Sequence, residues 1–150
     1  FSMFTSRRIK VLDSLRLSLD LKVMSVDLSN PDGNGVFTIT AIGQKEDTMT
    51  LSMEGKVEGY GFITLTHEYE YMYRANSKER SLGTVTGAAE AILEDGGLVY
   101  GPRQMGTFTR DSDKMEVYFT DHVSNGDHNF VRFEIDLITK QSDVSFWSLK

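Results

Sequence analysis

The chain has 150 residues, 39% of them hydrophobic and 25% charged, and this size and composition are typical of one globular domain with a sizeable core. Its net charge of −6, from 22 acidic and 16 basic residues, predicts no nucleic-acid partner and no membrane partner. The sequence has no cysteine, which excludes disulfide bonds, thiolate metal sites and cysteine nucleophiles.

The first residues carry no recognisable targeting signal. No apolar run approaches the roughly 20 residues of a membrane helix, and no charged-then-apolar signal peptide is present. Because the chain begins at Phe1, we expect residues 1–10 to be an N-terminal extension or a cloning remnant and residues 11–150 to form a single domain. The basic cluster at Arg7, Arg8 and Lys10 is interpreted as a solvated N-terminus, and the expected location is cytoplasmic.

Strict alternation of apolar and polar residues recurs along the chain, and this is the pattern of half-buried β-strands. It predicts nine strands, near residues 15–23, 37–41, 49–53, 59–74, 82–93, 98–109, 115–119, 131–137 and 144–149. Short turns separate them, and sequential hairpins form an antiparallel meander whose exposed edges disappear if the sheet closes. We therefore predict an all-β fold, a single antiparallel β-barrel of about 8–10 strands, with a two-sheet β-sandwich as the alternative.

Two of these strands carry local expectations. Phe37, Ile39 and Ala41 are predicted to share one inward face, because they alternate with polar residues. Gly101-Pro102 is predicted to interrupt the sixth strand, since proline has no N–H to donate to a strand ladder.

The long fourth strand is the most informative segment. Its odd-numbered face, predicted to point inward, reads Ile63, Leu65, His67, Tyr69, Tyr71 and Tyr73. The fifth strand offers small residues on its own inward face, namely Gly83, Val85, Gly87, Ala89 and Ala91. These small residues either let the aromatic rings pack flat or leave a cavity. His67 is then either a core histidine bonded to a tyrosine or a lumen group that moves a proton near neutral pH.

The even-numbered face of the same strand is predicted to point outward. Glu68 and Glu70 are therefore interpreted as solvated carboxylates rather than as an acid–base pair. Tyr60 and Phe62 share this outer face, and exposed aromatic residues there favour a homo-oligomer, such as a homodimer, that forms through the Tyr60/Phe62 face.

The seventh and eighth strands are predicted to form a hairpin. A three-residue loop over 124–126, with Gly126 left-handed, keeps the apolar faces of both strands together. This register sets His122 across from His128, and Tyr118 across from Arg132. A metal ion needs a third ligand that faces the two histidines, so the pair is interpreted as incidental and no metal site is predicted.

Part of the chain resembles a known group of small barrels. A strand that leads into a Gly-aromatic-Gly element, then a long strand, then a small-residue strand is similar to the order in allene-oxide-cyclase-like and dirigent-like barrels. The corresponding segments here are Leu51 to Gly61, Phe62 to Tyr73, and Gly83 to Ala88. The resemblance, like that to calycins, implies a lumen that holds an apolar small molecule and, in some relatives, cyclises it by shaping it.

The predicted function is accordingly a barrel that binds a small apolar molecule, with or without isomerase or cyclase activity and without a cofactor. No G-x-S-x-G, H-E-x-x-H or phosphate-loop motif occurs, which disfavours nucleophilic and nucleotide-dependent enzymes. The candidate catalytic residues are His67 and Tyr69. The candidate ligand-binding residues are Leu65, Tyr71, Tyr73, Met53, Phe119, Phe133 and Arg103. Two alternatives stay open, a non-catalytic carrier with the same lumen and a structural or interaction module with a filled core.

Overall fold

A computed structural model describes residues 27–73 and 79–149, and the described secondary structure consists of β-strands and turns. The strands are β1 (Gly33–Gln44), β2 (Thr48–Val57), β3 (Gly61–Tyr71), β4 (Leu82–Ile92), β5 (Leu98–Asp111), β6 (Lys114–His122), β7 (His128–Asp136) and β8 (Gln141–Ser148). The strand predicted near residues 15–23 and the extension predicted over residues 1–10 lie outside the described residues. Within that description no helix has the length and apolar character needed to cross a membrane.

The eight strands form one closed antiparallel barrel. Each strand pairs with the next along the chain, and β8 pairs with β1 to close the sheet. This confirms the predicted barrel with meander order and excludes the two-sheet alternative. All eight strands belong to one compact unit, Pro31–Lys150. In the preceding unit the structure describes residues 27–30, where Ser29 donates to the Asp27 carboxylate from both its N–H and its hydroxyl.

Alternate side chains of the strands point into the interior, as expected for a barrel of eight strands. The odd-numbered residues of β3 point inward as predicted, whereas Glu68 and Glu70 are exposed. Three phenylalanines interlock at mid-height, because the Phe133 ring lies 5.4 Å from both the Phe37 and the Phe119 ring centroids. Edge-to-face and tilted contacts of this kind stabilise a core beyond the area that they bury.

Two β-bulges change the facing of residues that simple alternation assigned. The β1–β2 register shifts between Ile39 and Ala41, so Ala41 is exposed, and its predicted place on the inward face with Ile39 was wrong. The predicted break at Gly101-Pro102 was also wrong, because β5 runs through it as one strand. The β4–β5 register shifts at this point instead, and a bulge accommodates a proline without breaking the strand.

The β6–β7 hairpin has the predicted register. His122 pairs with His128, and Tyr118 pairs with Arg132. Gly126 has a φ of 100°, the left-handed conformation that the three-residue loop requires.

The two ends of the barrel are named after Tyr60, in the β2–β3 turn, and Tyr71, the last residue of β3. The Tyr60 end holds the β2–β3, β4–β5 and β6–β7 turns, near residues 58–60, 93–97 and 123–127. The Tyr71 end holds the β1–β2, β5–β6 and β7–β8 turns. The two ends are distinguished because the two halves of the interior are packed differently, and the site lies in one of them.

Candidate functional site

The interior is solidly packed toward the Tyr71 end and hollow toward the Tyr60 end. The hollow is a cavity of about 60 Å³, enough for a few water molecules or a very small ligand. Its walls are mainly apolar and aromatic, with four polar side chains among them. The lining residues include Phe37, Tyr60, Ile63, Leu65, Ala89, Ala91, Val99, Gly101, Gln104, Phe119, Asp121, Val123, Asn129, Val131, Phe133 and Phe146.

The distribution of side-chain size along β4 and β5 explains where the cavity lies. Ala89 and Ala91 of β4 and Gly101 of β5 line the cavity and leave space near the Tyr60 end. Farther along β4, the space at Gly87 is taken up by the His67 ring, which an added Cβ would strike. Both outcomes expected from the small-residue strand therefore occur, since rings pack against one part of it and a cavity lies against the other.

Tyr60 lies over the cavity from the β2–β3 turn. Its hydroxyl donates to the Asp127 carboxylate, and the Asn129 amide donates to the Tyr60 oxygen over 3.1 Å. Burial, together with the hydrogen bond to Asp127, raises the pKa of Tyr60 to about 12. Tyr60 is half-buried against the core, so it does not share the outer face with Phe62, which is 37% exposed. The outward facing predicted for Tyr60 was wrong.

Two glycines flank Tyr60 and give this turn its shape. Gly59 has a φ of 84° and Gly61 a φ of 99°, values that side-chain-bearing residues rarely adopt. A Cβ at Gly61 would also strike the Ile92 carbonyl oxygen. The turn consequently folds Tyr60 back over the barrel, where its ring meets Phe146 edge-on at 5.5 Å.

Asp121 supplies the least satisfied polar atom of the site. Its Oδ1 is buried and has no hydrogen-bond partner among the residues that the structure describes. Gly101 makes room for this oxygen, because a Cβ at that position would strike it. Burial raises the pKa of Asp121 above its ordinary value, and the Gln104 amide, His122 and His128 partly oppose that rise.

A line of buried polar groups connects the packed half of the barrel to the cavity. The Tyr69 hydroxyl lies 3.1 Å from His67 Nδ1, and His67 Nε2 lies 2.7 Å from Gln104 Oε1. Because the Gln104 oxygen can only accept, His67 carries its proton on Nε2 and accepts from Tyr69 at Nδ1. Burial lowers the pKa of His67 to about 4 and raises that of Tyr69. Both groups are therefore neutral at pH 7.

The two candidate catalytic residues lie in the packed part of the interior. His67 and Tyr69 are each 0% exposed, and neither lines the cavity. Gln104 is the residue that joins this pair to the cavity wall, since it bonds His67 and lines the cavity. The Gln104 side chain therefore lies between His67 and the cavity.

The candidate ligand-binding residues are distributed over several environments. Leu65, Phe119 and Phe133 line the cavity. Met53 and Tyr71 are core residues, and the Tyr71 hydroxyl accepts from Arg110 Nη1 over 2.6 Å.

The other two candidates lie away from the cavity. Tyr73 donates to Asp47 Oδ1 over 3.1 Å at the Tyr71 end. Arg103 is exposed on β5 and does not line the cavity.

Sequence reasoning missed the four polar residues of the cavity. Asp121 and Asn129 could have been found by extending the alternation of β6 and β7 by one inward position each. Gln104 could not, because the bulge in β5 changes the parity of its inward residues between Gly101 and Gln104. Tyr60 was missed because it lies in a turn, where strand alternation does not apply.

The two cross-strand histidines lie outside the cavity lining. The His122 and His128 rings stack with centroids 4.2 Å apart. No group of three or more histidine, cysteine or acidic side chains suited to a metal ion occurs within residues 27–73 and 79–149.

Comparison of the chain with family models, with curated proteins and with solved structures finds no match.

Proposed function

We propose that the barrel binds a small, mainly apolar molecule with one polar group, in the cavity beneath Tyr60. The observation that carries this proposal is the composition of the cavity wall, where apolar side chains surround a few converging polar ones. Binding sites for small molecules commonly have this character, since apolar walls supply affinity and isolated polar groups fix orientation. The apolar part of the ligand would contact Leu65, Phe119 and Phe133, and its polar group would face Gln104 and Asp121.

The volume of the cavity limits what it can take. About 60 Å³ is well below the roughly 150 Å³ of an engineered cavity that binds benzene. A ligand of more than a few heavy atoms would therefore displace Tyr60 from above the cavity. The positive-φ glycines on both sides of Tyr60 favour such a movement, because glycine backbone crosses between conformations with little steric cost.

Filling the cavity tests this proposal. We expect Ala89→Leu to weaken the binding of cyclopentanol by at least about tenfold, because the added atoms occupy the space that the ligand needs. The free energy of unfolding should change by less than about 1.5 kcal/mol, since the cavity receives the larger side chain. Binding is measured by NMR from the methyl signals of Val99, Val123 and Leu65, and stability by chemical denaturation.

Ala88→Leu is the matched control, because Ala88 neighbours Ala89 on β4 but is exposed. This variant should bind cyclopentanol as the wild type does. If the cavity methyl groups of the wild-type protein do not respond to cyclopentanol at high concentration, the binding proposal is wrong.

A second candidate function is a cofactor-independent isomerase or cyclase that works on the molecule held in the cavity. The observation that favours it is Asp121, a carboxyl group at the cavity wall whose pKa burial raises, which brings its basicity closer to that of a useful general base. The resemblance to allene-oxide-cyclase-like barrels agrees with this candidate. Shaping by the cavity would be the main effect, with Asp121 moving one proton.

A simple proton-transfer probe tests the second candidate. In 3-cyclohexenone, a base removes a proton from the carbon between the carbonyl and the double bond and returns it to the γ carbon, giving 2-cyclohexenone. We expect the wild-type protein to accelerate this conversion and Asp121→Asn to lose at least about a hundredfold of the acceleration. Equal rates with and without the protein, while the probe is bound, would make the barrel a carrier.

A further inference from the structure

At the polar end of the cavity lies a hydrogen-bond acceptor, a carboxylate oxygen of Asp121, to which none of the described residues donates. Asp121 Oδ1 is buried and unpartnered among the described residues, while its pKa is raised by burial. A buried carboxylate oxygen without a partner is costly, and the cost is relieved by a hydrogen-bond donor or a positive charge. The cavity wall thus presents a ready place for a ligand group that donates.

Each hydrogen bond in the line from Tyr69 through His67 to Gln104 is donated in the direction of Asp121. Tyr69 donates to His67, and His67 donates to Gln104 Oε1. The Gln104 amide nitrogen is consequently turned away from His67, and its interaction with Asp121 lowers the pKa of that carboxyl. The Gln104 amide thus offsets part of the rise that burial causes in the pKa of Asp121, and Oδ1 is left for a second donor.

The remainder of the lining suits a cation better than an anion. No lysine or arginine is among the residues that line the cavity. Aromatic rings surround it instead, from Phe37, Tyr60, Phe119, Phe133 and Phe146. The faces of such rings attract ammonium groups within about 6 Å, and more strongly where water is excluded.

We propose that the ligand of this cavity is a small protonated amine, whose ammonium group donates to Asp121 Oδ1 and whose hydrocarbon part lies against the aromatic wall. The inference deepens the proposed function and rests on it. Asp127 at the Tyr60 turn adds a second negative charge beside the cavity mouth. Burial has the largest effect on the pKa of Asp121 and raises it, while His122 and His128 of the adjoining hairpin act against that rise.

The test compares two probes of matched shape, cyclopentylamine and cyclopentanol, with the whole chain at pH 7. Both are titrated by NMR, and the cavity methyl signals give a dissociation constant for each. We expect cyclopentylamine to bind at least about tenfold more tightly, because a charge-assisted hydrogen bond replaces a neutral one. The Asp121 carboxyl carbon signal should also move on addition of the amine, and move less with the alcohol.

Asp121→Asn keeps the shape of the side chain and removes its charge. This variant should lose the preference for the amine, so that its dissociation constants for the two probes differ by less than about threefold. Asp143→Asn removes the same charge from an exposed position on β8, and its preference for the amine should equal that of the wild type. If Asp121→Asn does not fold, the carboxyl carbon signal of the wild-type protein decides the matter.

The outcomes separate the amine inference from the binding proposal. If cyclopentanol binds and cyclopentylamine binds equally or more weakly, the inference is wrong and the proposed function stands. The same holds if the amine binds while the Asp121 carboxyl carbon signal stays unmoved. If neither probe affects the cavity methyl groups, the proposed function fails and the inference fails with it.

Discussion

Replacing His67 by alanine is expected to destabilise the barrel by about 3–5 kcal/mol. His67 is 0% exposed, and its ring packs edge-on to Phe119 at 5.0 Å and lies 5.5 Å from Phe133. Removing it leaves a void in the packed half of the barrel. It also leaves the Tyr69 hydroxyl and the Gln104 oxygen without the partners that they have in the wild-type protein.

The measurement is chemical denaturation of His67→Ala beside His122→Ala. His122 is also a strand histidine but is exposed, so its replacement should change the free energy of unfolding by less than about 0.5 kcal/mol. A loss of less than about 1 kcal/mol in His67→Ala would show that His67 is not part of the core. Because both variants remove a strand histidine but only His67 is buried, the difference between their free energies of unfolding reports the effect of burial.

The sequence sufficed to predict the fold class and the facing of most strands. Alternation depends only on the backbone geometry of a strand, so it places Leu65, His67 and Tyr69 inward whatever their neighbours are. The register of the β6–β7 hairpin could be predicted as well, because a two-residue turn would separate the apolar faces of the two strands, whereas a three-residue loop over 124–126 keeps them together. These features are local, or depend on one pair of strands.

The site could be predicted only in part, because it depends on contacts between distant segments. The small residues of β4 allowed either packed rings or a cavity, and the choice differs between Gly87, which adjoins His67, and Ala89, which adjoins empty space. Whether a gap is filled depends on which side chains reach it from across the barrel. Tyr60 reaches it from a turn, and Gln104 reaches it because a bulge changes parity.

The sequence allowed two interpretations of His67, a core histidine and a group in the lumen. An inward histidine at mid-strand is compatible with a lumen and with a core, because alternation gives facing but not the volume around the side chain. The decisive facts are its two partners, Tyr69 and Gln104, which occupy both ring nitrogens. Gln104 comes from a strand that pairs with β4 and not with β3, so no pattern within β3 could have revealed it.

Acidification is expected to weaken the barrel through His67. Burial lowers the pKa of His67 from 6.5 to about 4, so the folded protein resists a proton that the unfolded chain accepts. Above pH 6.5 the residue is neutral in both states and contributes no pH dependence. Between pH 6.5 and 4 the free energy of unfolding should fall by about 1.4 kcal/mol per pH unit, a total of about 3 kcal/mol, and below pH 4 this contribution levels off.

Other groups titrate in the same range, so the prediction concerns a difference between two proteins. Asp121, whose pKa is raised by burial, acts in the opposite direction, because its folded form binds a proton more readily than the unfolded chain. His67→Gln removes the titrating imidazole and retains Asp121, so subtracting its denaturation curves from those of the wild type isolates His67. The stability advantage of the wild type should shrink by about 3 kcal/mol between pH 7 and pH 4. A constant difference over that range would mean that His67 ionises as readily in the folded barrel as in the unfolded chain, which its burial between Phe119 and Phe133 does not permit.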